Sequence, residues 1–590
     1  MPELVRTEPG RPATPPVAVS SITTEANHTG SWKYIRPAYH DRVAPCNAAC
    51  PLGVDVEGYM ALLREGRIDE AAELLAREHP MPAVTGRVCN HPCEDGCNRR
   101  HFDDAVAIHA VERMLGDRLL AAPLPQALPV THAEAVAVVG SGPAGLSAAY
   151  HLARLGYRVE VFEQAEKAGG MLRHGIPPYR LPRAVLDGQV ERIRALGVEI
   201  HTGVSLGRDV RWSELAERFG AVFFATGAYV GKPLGVPGDD AAGVWQGLGF
   251  LERCNRGEAP EVGRRVVVIG GGNTAMDCAR TARRLGAEVT VAYRRTRAEM
   301  PAIAAEIDDA EREGVLFRFL AAPERVDEAD GRVRGIECTP MRLGEPDASG
   351  RRRPEPSGEP PFCLPADTVL LAIGEDAQLG MLPAEAAERG ALAVDAWGAT
   401  RLSGIFAGGD AAGHDRTVAH ALGAGKRAAL GIDRYLRRQR GDEPPTDDLT
   451  ALRYGGSGNL SSTRWRDDDP VRRVAPLNEV VGFESLNLNH FQHAARHPDR
   501  RTGNGAAYGD FGEVNRGLES DVALTEAGRC FNCGVCNGCE LCLIFCGDAA
   551  IHPSADGGGR FEIDLEYCKG CGVCAAECPR GAISMTREAL

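Results

Sequence analysis

The apolar residues of this chain follow two patterns, and each predicts a different kind of element. Continuous apolar runs at 135–139 and 265–269 end at glycines and lead into helical stretches. Such runs are typical of strands buried in a parallel sheet. Between Asp55 and Glu78 the apolar positions instead recur at helical spacing behind an N-cap residue. The pattern therefore predicts a multidomain α/β chain with a helical segment ahead of its sheets.

Changes of pattern also indicate where one segment ends and the next begins. Residues 1–35 are rich in Pro, Thr and Ser, and we expect a disordered leader there. Residues 441–527 are polar with few long apolar patterns, and we interpret them as a linker that wraps the surface. The other predicted segments are a helical one with five cysteines at 36–125, strand–turn–helix units at 130–260 and 261–365, a return to strand, turn and helix at 366–440, and a compact cysteine-rich module at 528–590.

Length and charge narrow the class of protein. A chain of 590 residues suggests three or four domains at about 150 residues each. The net charge of -14 argues against nucleic acid as the main partner. Glycine, arginine and aspartate interrupt the apolar stretches near 136–153 and 265–292, so we expect no membrane span. The N-terminal residues carry no apolar signal core, and we expect a cytoplasmic protein.

Residues 135–145 carry a dinucleotide-binding fingerprint. The apolar strand runs into Gly140, Gly142 and Gly145, and a helix follows. The first glycine permits a tight turn, the second lets the backbone approach a pyrophosphate, and the third lets helix and strand pack closely. The next strand ends at Glu163, about 20 residues on, where a carboxylate holds a ribose hydroxyl.

A distant segment indicates that this dinucleotide is FAD. Residues 404–410 form a short strand and glycine turn that ends at Gly409 and Asp410, and a helix follows Thr417. In flavoproteins with two dinucleotide sites, this pattern places an aspartate on the ribityl chain of FAD. We therefore expect 130–260 and 366–440 to form one FAD-binding domain.

A second fingerprint at 265–275 predicts an NADPH-binding domain at 261–365. The strand after it ends in Arg294 and Arg295, where a site for NADH would carry an acid. Guanidinium groups suit the 2′-phosphate of NADPH through charge-assisted hydrogen bonds. The turn residues expected at the coenzyme are Gly270, Gly272, Asn273, Thr274 and Ala275.

The chain has 19 cysteines, and most fall in two clusters at its opposite ends. In a cytosolic chain such clusters indicate metal more often than disulfides. The C-terminal cluster contains two Cys-x2-Cys-x2-Cys-x3-Cys runs, the spacing of a two-[4Fe-4S] ferredoxin, in which the fourth cysteine of each run serves the other cluster. A zinc site does not require two interleaved runs of four cysteines, so the spacing favours iron–sulfur clusters over zinc. The predicted sets are Cys536, Cys539, Cys542 and Cys578, and Cys568, Cys571, Cys574 and Cys546.

The N-terminal cysteines indicate at least one more cluster in a helical setting, with buried free thiols as the alternative. They stand at Cys46, Cys50, Cys89, Cys93 and Cys97. Four further cysteines are scattered singly and are interpreted as small core residues. These four are Cys254, Cys278, Cys338 and Cys363.

With these motifs in place, residues 45–435 resemble the small (beta) subunit of NADPH-dependent glutamate synthase. The N-terminal part of dihydropyrimidine dehydrogenase and the large subunit of the electron-bifurcating ferredoxin:NADP oxidoreductase are similar as well. The resemblance implies a helical iron–sulfur domain, two Rossmann-like domains for FAD and NADPH, and here an appended ferredoxin-like domain. It also rests on the stretch 169–173, which adds Gly170, Met171 and Arg173 to the cofactor site.

The resemblance implies two N-terminal clusters. One is held by Cys50, Cys89, Cys93 and the carboxylate of Glu112. The family's other cluster uses an upstream Cys-x2-Cys pair, which this chain lacks, and two cysteines that match Cys46 and Cys97. A surplus pair before the ferredoxin runs lies in a sequence like the missing segment. We therefore predict a further cluster at Cys46, Cys97, Cys530 and Cys533, with an idle or zinc-binding pair at the last two as the alternative.

Motifs and resemblance together predict an oxidoreductase that passes a hydride between NADPH and FAD and single electrons through [4Fe-4S] clusters to or from a partner protein. Hydride transfer needs no acid or base, so no catalytic side chain is assigned. The alternatives are a stand-alone reductase of a small organic substrate and a subunit with purely structural clusters. Glutamate synthase large subunit, ferredoxin, a 2-oxoacid oxidoreductase and a sulfite-reductase-type complex all stay open as partners, as do homodimeric and hetero-oligomeric assembly.

Overall fold

The structure is a computed structural model, and it describes most of the chain. All 19 cysteines are within the described part and none forms a disulfide. Of the leader expected at 1–35, only Gly30, Tyr34 and Ile35 are described, so that prediction lies almost wholly outside the described residues. The described residues are 30, 34–347, 350–382, 384–388, 390–413, 415–455, 459–466, 478–502, 510–554 and 560–587.

One five-stranded parallel sheet forms around the first glycine turn. Its central strand, Ala135–Val139, is buried along its whole length because apolar side chains cover both faces. The helices Pro143–Arg154 and Val418–Arg440 pack against each other and against this sheet. From edge to edge its strands are Ile405–Ala407, Ala221–Phe224, Ala135–Val139, Arg158–Glu163 and Glu199–Thr202.

A second five-stranded parallel sheet forms around the second glycine turn, with the helix Asn273–Arg284 following that turn. A four-stranded antiparallel sheet lies beside it. The strands of the parallel sheet are Leu316–Phe319, Glu288–Tyr293, Arg265–Ile269, Thr368–Leu371 and Val244–Gln246 in order, and those of the antiparallel sheet are Ala321–Ala329, Arg332–Pro346, Arg352–Pro356 and Phe362–Pro365.

The second sheet moves two of the domain boundaries expected from sequence. Strands Val244–Gln246 and Thr368–Leu371 belong to this sheet, whereas the pattern assigns both to the FAD-binding segments. Thr368–Leu371 pairs with Arg265–Ile269 on one side and with Val244–Gln246 on the other. A short apolar run does not indicate which of two similar sheets it joins, so its membership needs the structure.

The N-terminal segment is helical from residue 45 onward. The helices Val56–Arg64 and Ile68–Glu78 bury Tyr59 and Leu75 in a core that continues without a break into the first parallel sheet. This shared core holds the helical domain and the FAD-binding domain together. The elements of the helical domain are Pro45–Ala49, Val56–Arg64, Ile68–Glu78, Pro82–Val88, Pro92–Asp95, Ile108–Ala121 and the 3-10 helix Asn98–His101.

The two ends of the chain meet in a two-stranded sheet. Strand Ile35–Tyr39, which the pattern divides between the leader and the helical domain, pairs antiparallel with Ile583–Arg587 of the ferredoxin module. A five-residue strand with mixed polarity is a weak signal, and its partner lies more than 500 residues away in sequence, which explains why the pattern does not identify it.

The segment 441–527 is more than a surface linker. Trp465, Leu460 and Val481 are fully buried, and a backbone bridge joins Val480 to Val43. The helix Ser520–Gly528 packs against the N-terminal helices. Isolated buried residues inside a polar segment carry no periodic signal, so the pattern assigned them to the surface. Its elements are Leu449–Leu452, Ser462–Arg466, Phe483–Ser485, Leu488–His490, Arg500–Arg501, Asn515–Gly517 and Ser520–Gly528.

The ferredoxin module is built from two short helices and a small hairpin around its cysteines. The module's elements are Leu541–Ile544, Ile551–Pro553, Phe561–Ile563, Val573–Glu577 and Ile583–Arg587.

Within the described part of the chain, no helix is both long and apolar enough to cross a membrane. The remaining helices and short strands are Met171–His174, Arg183–Ala195, Trp212–Arg218, Val230–Gly231, Gly247–Asn255, Arg297–Glu299, Ala304–Arg312, Glu375–Asp376, Ala384–Ala386, Ala387–Glu388, Ala391–Leu392 and Gly409–Ala412.

Candidate redox centres

The first glycine turn leaves no room for side chains where its backbone is crowded. Gly140 has φ of +100°, and an added Cβ would lie 2.4 Å from the carbonyl oxygen of Ala225. A Cβ on Gly145 would lie 1.9 Å from the carbonyl oxygen of Gly140. For a Cβ on Gly142 the nearest atom is the Cα of Gly170, 4.0 Å away, so space opens in front of the helix that follows. This cradle fits the pyrophosphate of a dinucleotide.

Glu163 stands where the sequence predicts a ribose-binding carboxylate, at the end of the second strand. One oxygen accepts a hydrogen bond from the backbone N–H of Ser141 at 2.9 Å, and the other accepts from the N–H of Ala165 at 2.8 Å. These bonds fix the buried carboxylate in the wall of a cavity of about 60 Å³ that Gly140 and Gly142 also line. Its position fits a ribose hydroxyl held beside the glycine turn.

The distant segment meets the first turn in space. Gly409 has φ of +67°, and an added Cβ would lie 3.0 Å from the Cβ of Ala144, the second residue of the helix Pro143–Arg154. Burial raises the pKa of Asp410 at the same turn. Thr417 caps the helix Val418–Arg440 by accepting a backbone N–H of its first turn at 3.2 Å. The two predicted parts of the FAD site therefore adjoin.

The residues added by the resemblance also lie at this turn. Gly170 contacts the glycine turn itself, and Met171 begins the short helix that follows. Arg173 is buried, donates from Nε to the carbonyl oxygen of Ala168 at 2.6 Å and forms an ion pair with Asp187. Its guanidinium group thus braces the loop that carries Gly170.

The second glycine turn opens into a cavity of about 630 Å³. Gly270 has φ of +144°, and among the described residues no atom lies within 4 Å of a Cβ added to Gly272. Thr274 lines the cavity, whereas Asn273 accepts a backbone N–H from a neighbouring loop at 2.9 Å. Ala275 is fully buried behind the turn. This cavity has room for a second dinucleotide, and it is larger than the cavity at the first turn.

The two predicted arginines differ in their surroundings. Both line this cavity, but Arg294 is exposed, whereas Arg295 is buried. Arg295 donates from Nη2 to Asp347 at 2.7 Å and from Nε to the carbonyl oxygen of Arg352 at 2.8 Å. Arg351, which the sequence pattern does not single out, lines the same cavity. Three guanidinium groups therefore line this cavity, and Arg295 forms an ion pair with a carboxylate.

The C-terminal cysteines lie in the crossed sets that their spacing predicts. Cys546, from the first run, lines one small cavity together with the three cysteines that begin the second run. Burial raises the pKa of Cys536, and the charge of Cys578, from the second run, adds to this rise. Each set thus combines three cysteines of one run with one of the other, as a two-cluster ferredoxin requires.

Four predicted ligands meet inside the helical domain, and we call them the inner group: Cys50, Cys89, Cys93 and Glu112. Burial raises the pKa of the Cys93 thiol well above its usual value, and the charges of Cys50, Cys89 and Glu112 are among those that add to the rise. Thr85 donates from Oγ1 to a carboxylate oxygen of Glu112 at 2.6 Å. This bond holds the carboxylate close enough to the thiols for its charge to act on Cys93.

A second set, which we call the bridging group, joins the two ends of the chain: Cys46, Cys97, Cys530 and Cys533. Burial raises the pKa of Cys46 well above its usual value, and the charges of the other three cysteines raise it further. Asn98, next to Cys97, directs its amide nitrogen to Cys533 Sγ at 3.6 Å. The structure therefore brings together the four thiols that the departure from the family pattern singles out.

The helix Ser520–Gly528 explains how the C-terminal pair reaches the helical domain. Its residues Ala523 and Ala527 are fully buried against the N-terminal helices. At its end, Glu526 accepts the backbone N–H of Ala107 at 2.8 Å, and Arg529 donates to a backbone carbonyl of the same loop at 2.7 Å. The pair that follows this helix is thereby fixed beside the N-terminal cysteines.

The donor set fits iron–sulfur clusters. Buried neighbouring thiols resist ionisation, whereas a bound metal deprotonates a thiol outright. Backbone N–H groups already point at the sulfurs, from Asn532 to Cys530 at 3.4 Å and from Ala550 to Cys546 at 3.3 Å. Such N–H···S bonds stabilise the negative charge of a ligated thiolate.

Two supporting residues are not identifiable from the sequence. The Tyr39 hydroxyl lies 3.1 Å from Cys542 Sγ, because the N-terminal strand crosses the ferredoxin module. His109 hydrogen-bonds to Glu94 at 2.7 Å and to Asp499 at 2.9 Å. Burial opposes a charge on His109, but the two carboxylates raise its pKa to about 10. Tyr39 lies far from Cys542 in the chain, and His109 lies far from Asp499, so no local motif could reveal these two contacts.

Comparison with known families places the chain. Residues 134–428 match the family described as pyridine nucleotide-disulphide oxidoreductase. Residues 39–123 match dihydropyrimidine dehydrogenase domain II with its 4Fe-4S cluster, and 561–584 match the 4Fe-4S binding domain. The chain belongs to the pyridine nucleotide-disulphide oxidoreductase family, with iron–sulfur domains at both ends. The predicted oxidoreductase class, α/β fold and [4Fe-4S] domains are confirmed.

Individual relatives agree with the resemblance seen in the sequence. The NADP(+)-dependent formate dehydrogenase subunit beta of Moorella thermoacetica is 39% identical over 525 residues, 83% of this chain and 70% of that protein. The NADPH-Fe(3+) oxidoreductase subunit beta of Geobacter sulfurreducens is 38% identical over 534 residues, 83% and 75% respectively. The glutamate synthase [NADPH] small chain of Halomonas elongata is 38% identical over 414 residues, 66% and 88%. Among solved structures, Mycobacterium tuberculosis FprA in complex with NADPH is 21% identical, covers 52% of this chain and 86% of that one, and has a TM-score of 0.46.

Proposed function

We propose that this chain is the NADPH-linked subunit of a larger redox enzyme and passes electrons between NADPH and a partner protein through FAD and four [4Fe-4S] clusters. FAD, when bound, converts a hydride into single electrons, which is chemistry that no side chain supplies. The relatives named as beta subunits act with NADP(H), and the three-arginine pocket at the second glycine turn suits the same coenzyme.

The protein's own residues have three tasks in this function. The glycine turns hold the two dinucleotides by their pyrophosphates, and Arg294 binds the 2′-phosphate at the cavity mouth. Glu163 and Asp410 orient the FAD ribose and ribityl chain. The cysteine groups hold the clusters close together, so that an electron need not cross solvent.

Contacts between domains favour one order of the centres. Lys426, in the FAD-domain helix Val418–Arg440, is among the charges acting on Cys50 of the inner group. A Cβ added to Gly423 of that helix would lie 2.1 Å from the carbonyl oxygen of Pro51, the residue after Cys50. The inner group is therefore the centre beside the flavin domain.

The bridging group adjoins the ferredoxin module in turn. Arg580 donates to the carbonyl oxygen of Phe531, next to Cys530, and from Nε to the side chain of Asn537 at 2.6 Å. Asn537 lies between Cys536 and Cys539 of the ferredoxin module. One buried guanidinium thus connects the two sets of ligands. The order that follows is FAD, inner group, bridging group and ferredoxin clusters.

The observation that carries this proposal is the convergence of the bridging group from the two ends of the chain, and iron analysis tests it. Four clusters require about 16 iron atoms per chain and three require about 12. Replacing Cys530 and Cys533 by serine should remove about four iron atoms and stop electron delivery, while NADPH still bleaches the flavin. Cys363→Ser is the control and should keep all of the iron, because this cysteine is exposed on the antiparallel sheet and not in the core as the sequence suggested. About 12 iron atoms in the unaltered chain would contradict the fourth cluster.

The partner should dock at the ferredoxin cluster held by Cys546, Cys568, Cys571 and Cys574. Phe545 and Val573 are large apolar residues that stay 45% and 39% exposed, and each is adjacent in sequence to a residue lining the cavity of Cys546, Cys571 and Cys574. Exposed apolar residues beside a redox centre suit a protein partner that brings its own centre within reach.

Electron delivery tests this docking surface. Replacing Phe545 and Val573 by serine should slow NADPH-driven reduction of a two-[4Fe-4S] ferredoxin about tenfold or more, because the partner loses its apolar contacts. Reduction of ferricyanide, a small acceptor with no need to dock, should change little. The control pair Leu316→Ser and Val230→Ser alters exposed apolar residues of the strands Leu316–Phe319 and Val230–Gly231, which lie outside the ferredoxin module. Equal slowing with ferricyanide would show damage to the cluster rather than to docking.

A further inference from the structure

The helix Val56–Arg64 places Tyr59 in the buried core of the helical domain. The side chain is 0% exposed, and its hydroxyl has no hydrogen-bond partner among the residues that the structure describes. Leaving a buried hydroxyl unpaired is costly, and phenylalanine would fill the same space without that cost. The position therefore indicates that the hydroxyl has an acceptor other than the residues that the structure describes.

The surroundings of that hydroxyl are the ligands of the two N-terminal groups. The charges that act on Tyr59 come from Glu112, Cys93 and Cys50 of the inner group and from Cys46 of the bridging group. Tyr59 also packs in the same buried core as these cysteines. It lies where both groups of ligands are near, and an iron–sulfur cluster at either one would present sulfur atoms able to accept its O–H.

Local hydrogen bonds hold the tyrosine and the ligands in register. Asn47, which follows Cys46, accepts the backbone N–H of Glu57 on its side-chain oxygen at 3.0 Å. Its amide nitrogen donates to Asp55, the N-cap of the same helix, at 2.8 Å. One buried side chain next to Cys46 thus fixes the start of the helix. Tyr59, one turn later, cannot shift relative to the cysteine loop without breaking these bonds.

We propose that Tyr59 is a positioning residue for electron transfer, whose O–H donates a hydrogen bond to a sulfur of a cluster in the inner or bridging group and raises the reduction potential of that cluster. The proposal rests on the proposed function only in that these groups hold clusters. A one-electron reduction adds negative charge to the cluster, and a hydrogen bond to its sulfur stabilises that charge. No bond breaks and no proton is transferred, since the phenol keeps its hydrogen throughout.

The consequence for electron transfer would be that an electron occupies the cluster beside Tyr59 in preference to the flavin. A cluster stabilised in its reduced form beside the flavin domain would take up an electron readily and keep it away from the flavin. Because the buried hydroxyl is shielded from water, its electrostatic interaction with a cluster sulfur is stronger than it would be in solvent. The glycine turns and the cysteine spacing do not predict this effect on the reduction potential.

Tyr59→Phe in the full chain tests the proposal, since it removes one O–H and keeps the ring. We expect the reduction equilibrium of one N-terminal cluster to fall about tenfold, a common value for one lost hydrogen bond. For one electron this is about 59 mV toward more negative potential. The measurement is a redox titration followed by the electron paramagnetic resonance of the reduced clusters, with iron and flavin content determined on the same samples.

Tyr157→Phe is the matched control. Its ring is equally buried, but its hydroxyl donates to Asp433 in the FAD domain at 2.7 Å, so its loss should leave every cluster potential unchanged. Unchanged potentials in Tyr59→Phe with full iron content would overturn the proposal. If that variant assembles poorly, Tyr59→Met also lacks the donor and must show the same shift. An unaltered chain with about 12 iron atoms would instead count against the fourth cluster, and the shift would still be sought at the inner group.

Discussion

At the scale of single residues, the use of NADPH that we propose should depend on which arginine is able to bind a phosphate. Arg294 lines the large cavity and is exposed, whereas Arg295 already has Asp347 and a backbone carbonyl as partners. A guanidinium that keeps these bonds contributes less to a new anion than one that faces the cavity. Binding of a 2′-phosphate should therefore depend more on Arg294.

The first prediction follows from that difference. Arg294→Gln should lower kcat/KM for NADPH roughly 10–100-fold, since a hydrogen bond to a charged group contributes about 1.5–3 kcal/mol. The value for NADH, which lacks the phosphate, should change little. Steady-state flavin reduction with both coenzymes measures this. Arg253→Gln, a helix residue stacked on Trp245, serves as the control. A preference of the unaltered protein for NADH would refute the assignment.

Residue chemistry was predictable from the sequence only where a motif fixes the backbone. The glycines of both turns and the crossed ferredoxin cysteines lie where their spacing predicts, because turn geometry and ligand geometry leave few alternatives. The ion pair of Arg295 with Asp347 joins residues 52 positions apart and carries no local signal. Tyr39 is near Cys542 only because the two ends of the chain meet.

At the scale of elements, the strand Ile35–Tyr39 covers the edge of the ferredoxin module. It pairs with Ile583–Arg587, and His40 extends the ladder by donating its N–H to Ala582 at 3.0 Å. The alternation of an antiparallel pair places the N–H of Ala38 on the carbonyl of Ser584. The N-terminal strand therefore supports two clusters with which it shares no motif.

The second prediction concerns this strand. Ala38→Pro removes a ladder N–H, so the strand should detach and the ferredoxin module should lose iron. We expect about half of the iron to be lost, from about 16 to about 8 atoms per chain, while NADPH still bleaches the flavin. Iron analysis and flavin absorbance measure both effects. Ala133→Pro, in an exposed loop, should retain all of the iron. Full iron content in Ala38→Pro would show that the module needs no such support.

Elements were predictable where a long apolar run met a glycine turn. The central strands Ala135–Val139 and Arg265–Ile269 and the helices after them match the pattern closely. The short strands Thr368–Leu371 and Val244–Gln246 did not reveal their sheet, since parallel pairing is decided by tertiary contacts. The helix Ser520–Gly528 sits in a polar segment and buries only one narrow face, so its role is visible only in the fold.

At the scale of the whole molecule, one buried ion pair joins three parts of the chain. Glu78, at the end of a helix in the iron–sulfur domain, binds Lys426 of the FAD domain at 2.6 Å. The same carboxylate accepts hydrogen bonds from Ser461 Oγ at 2.5 Å and from the backbone N–H of Thr463 at 2.9 Å, both in the segment taken from sequence as a linker. Lys426 Nζ also lies 3.4 Å from the carbonyl oxygen of Gly53 and is among the charges acting on Cys50, so the ion pair links the cysteine loop to the packing of the domains.

The third prediction concerns the pH dependence of this junction. Burial alone would raise the pKa of Glu78, but Lys426 and the Ser461 hydroxyl outweigh it and lower that pKa from 4.5 to about 2. A carboxyl whose pKa is lower in the folded state contributes stability that is fully present above its unfolded pKa. That contribution, about 3 kcal/mol for a shift of this size, is lost as the pH falls from about 4.5 toward about 2.

Glu78→Gln should therefore cost about 3–5 kcal/mol at pH 7, because it leaves the ammonium of Lys426 buried without its counter-charge. The difference in stability between the unaltered protein and the variant should shrink as the pH falls through that window. The double variant Glu78→Gln, Lys426→Met should recover part of the loss, since no unpaired charge remains. Urea unfolding followed by flavin fluorescence from pH 7 down to about pH 2 measures these three proteins. Glu65→Gln, an exposed carboxylate paired with Arg67, should change stability little at any pH. A constant difference across the window would mean that the carboxylate acts through packing and not through its charge.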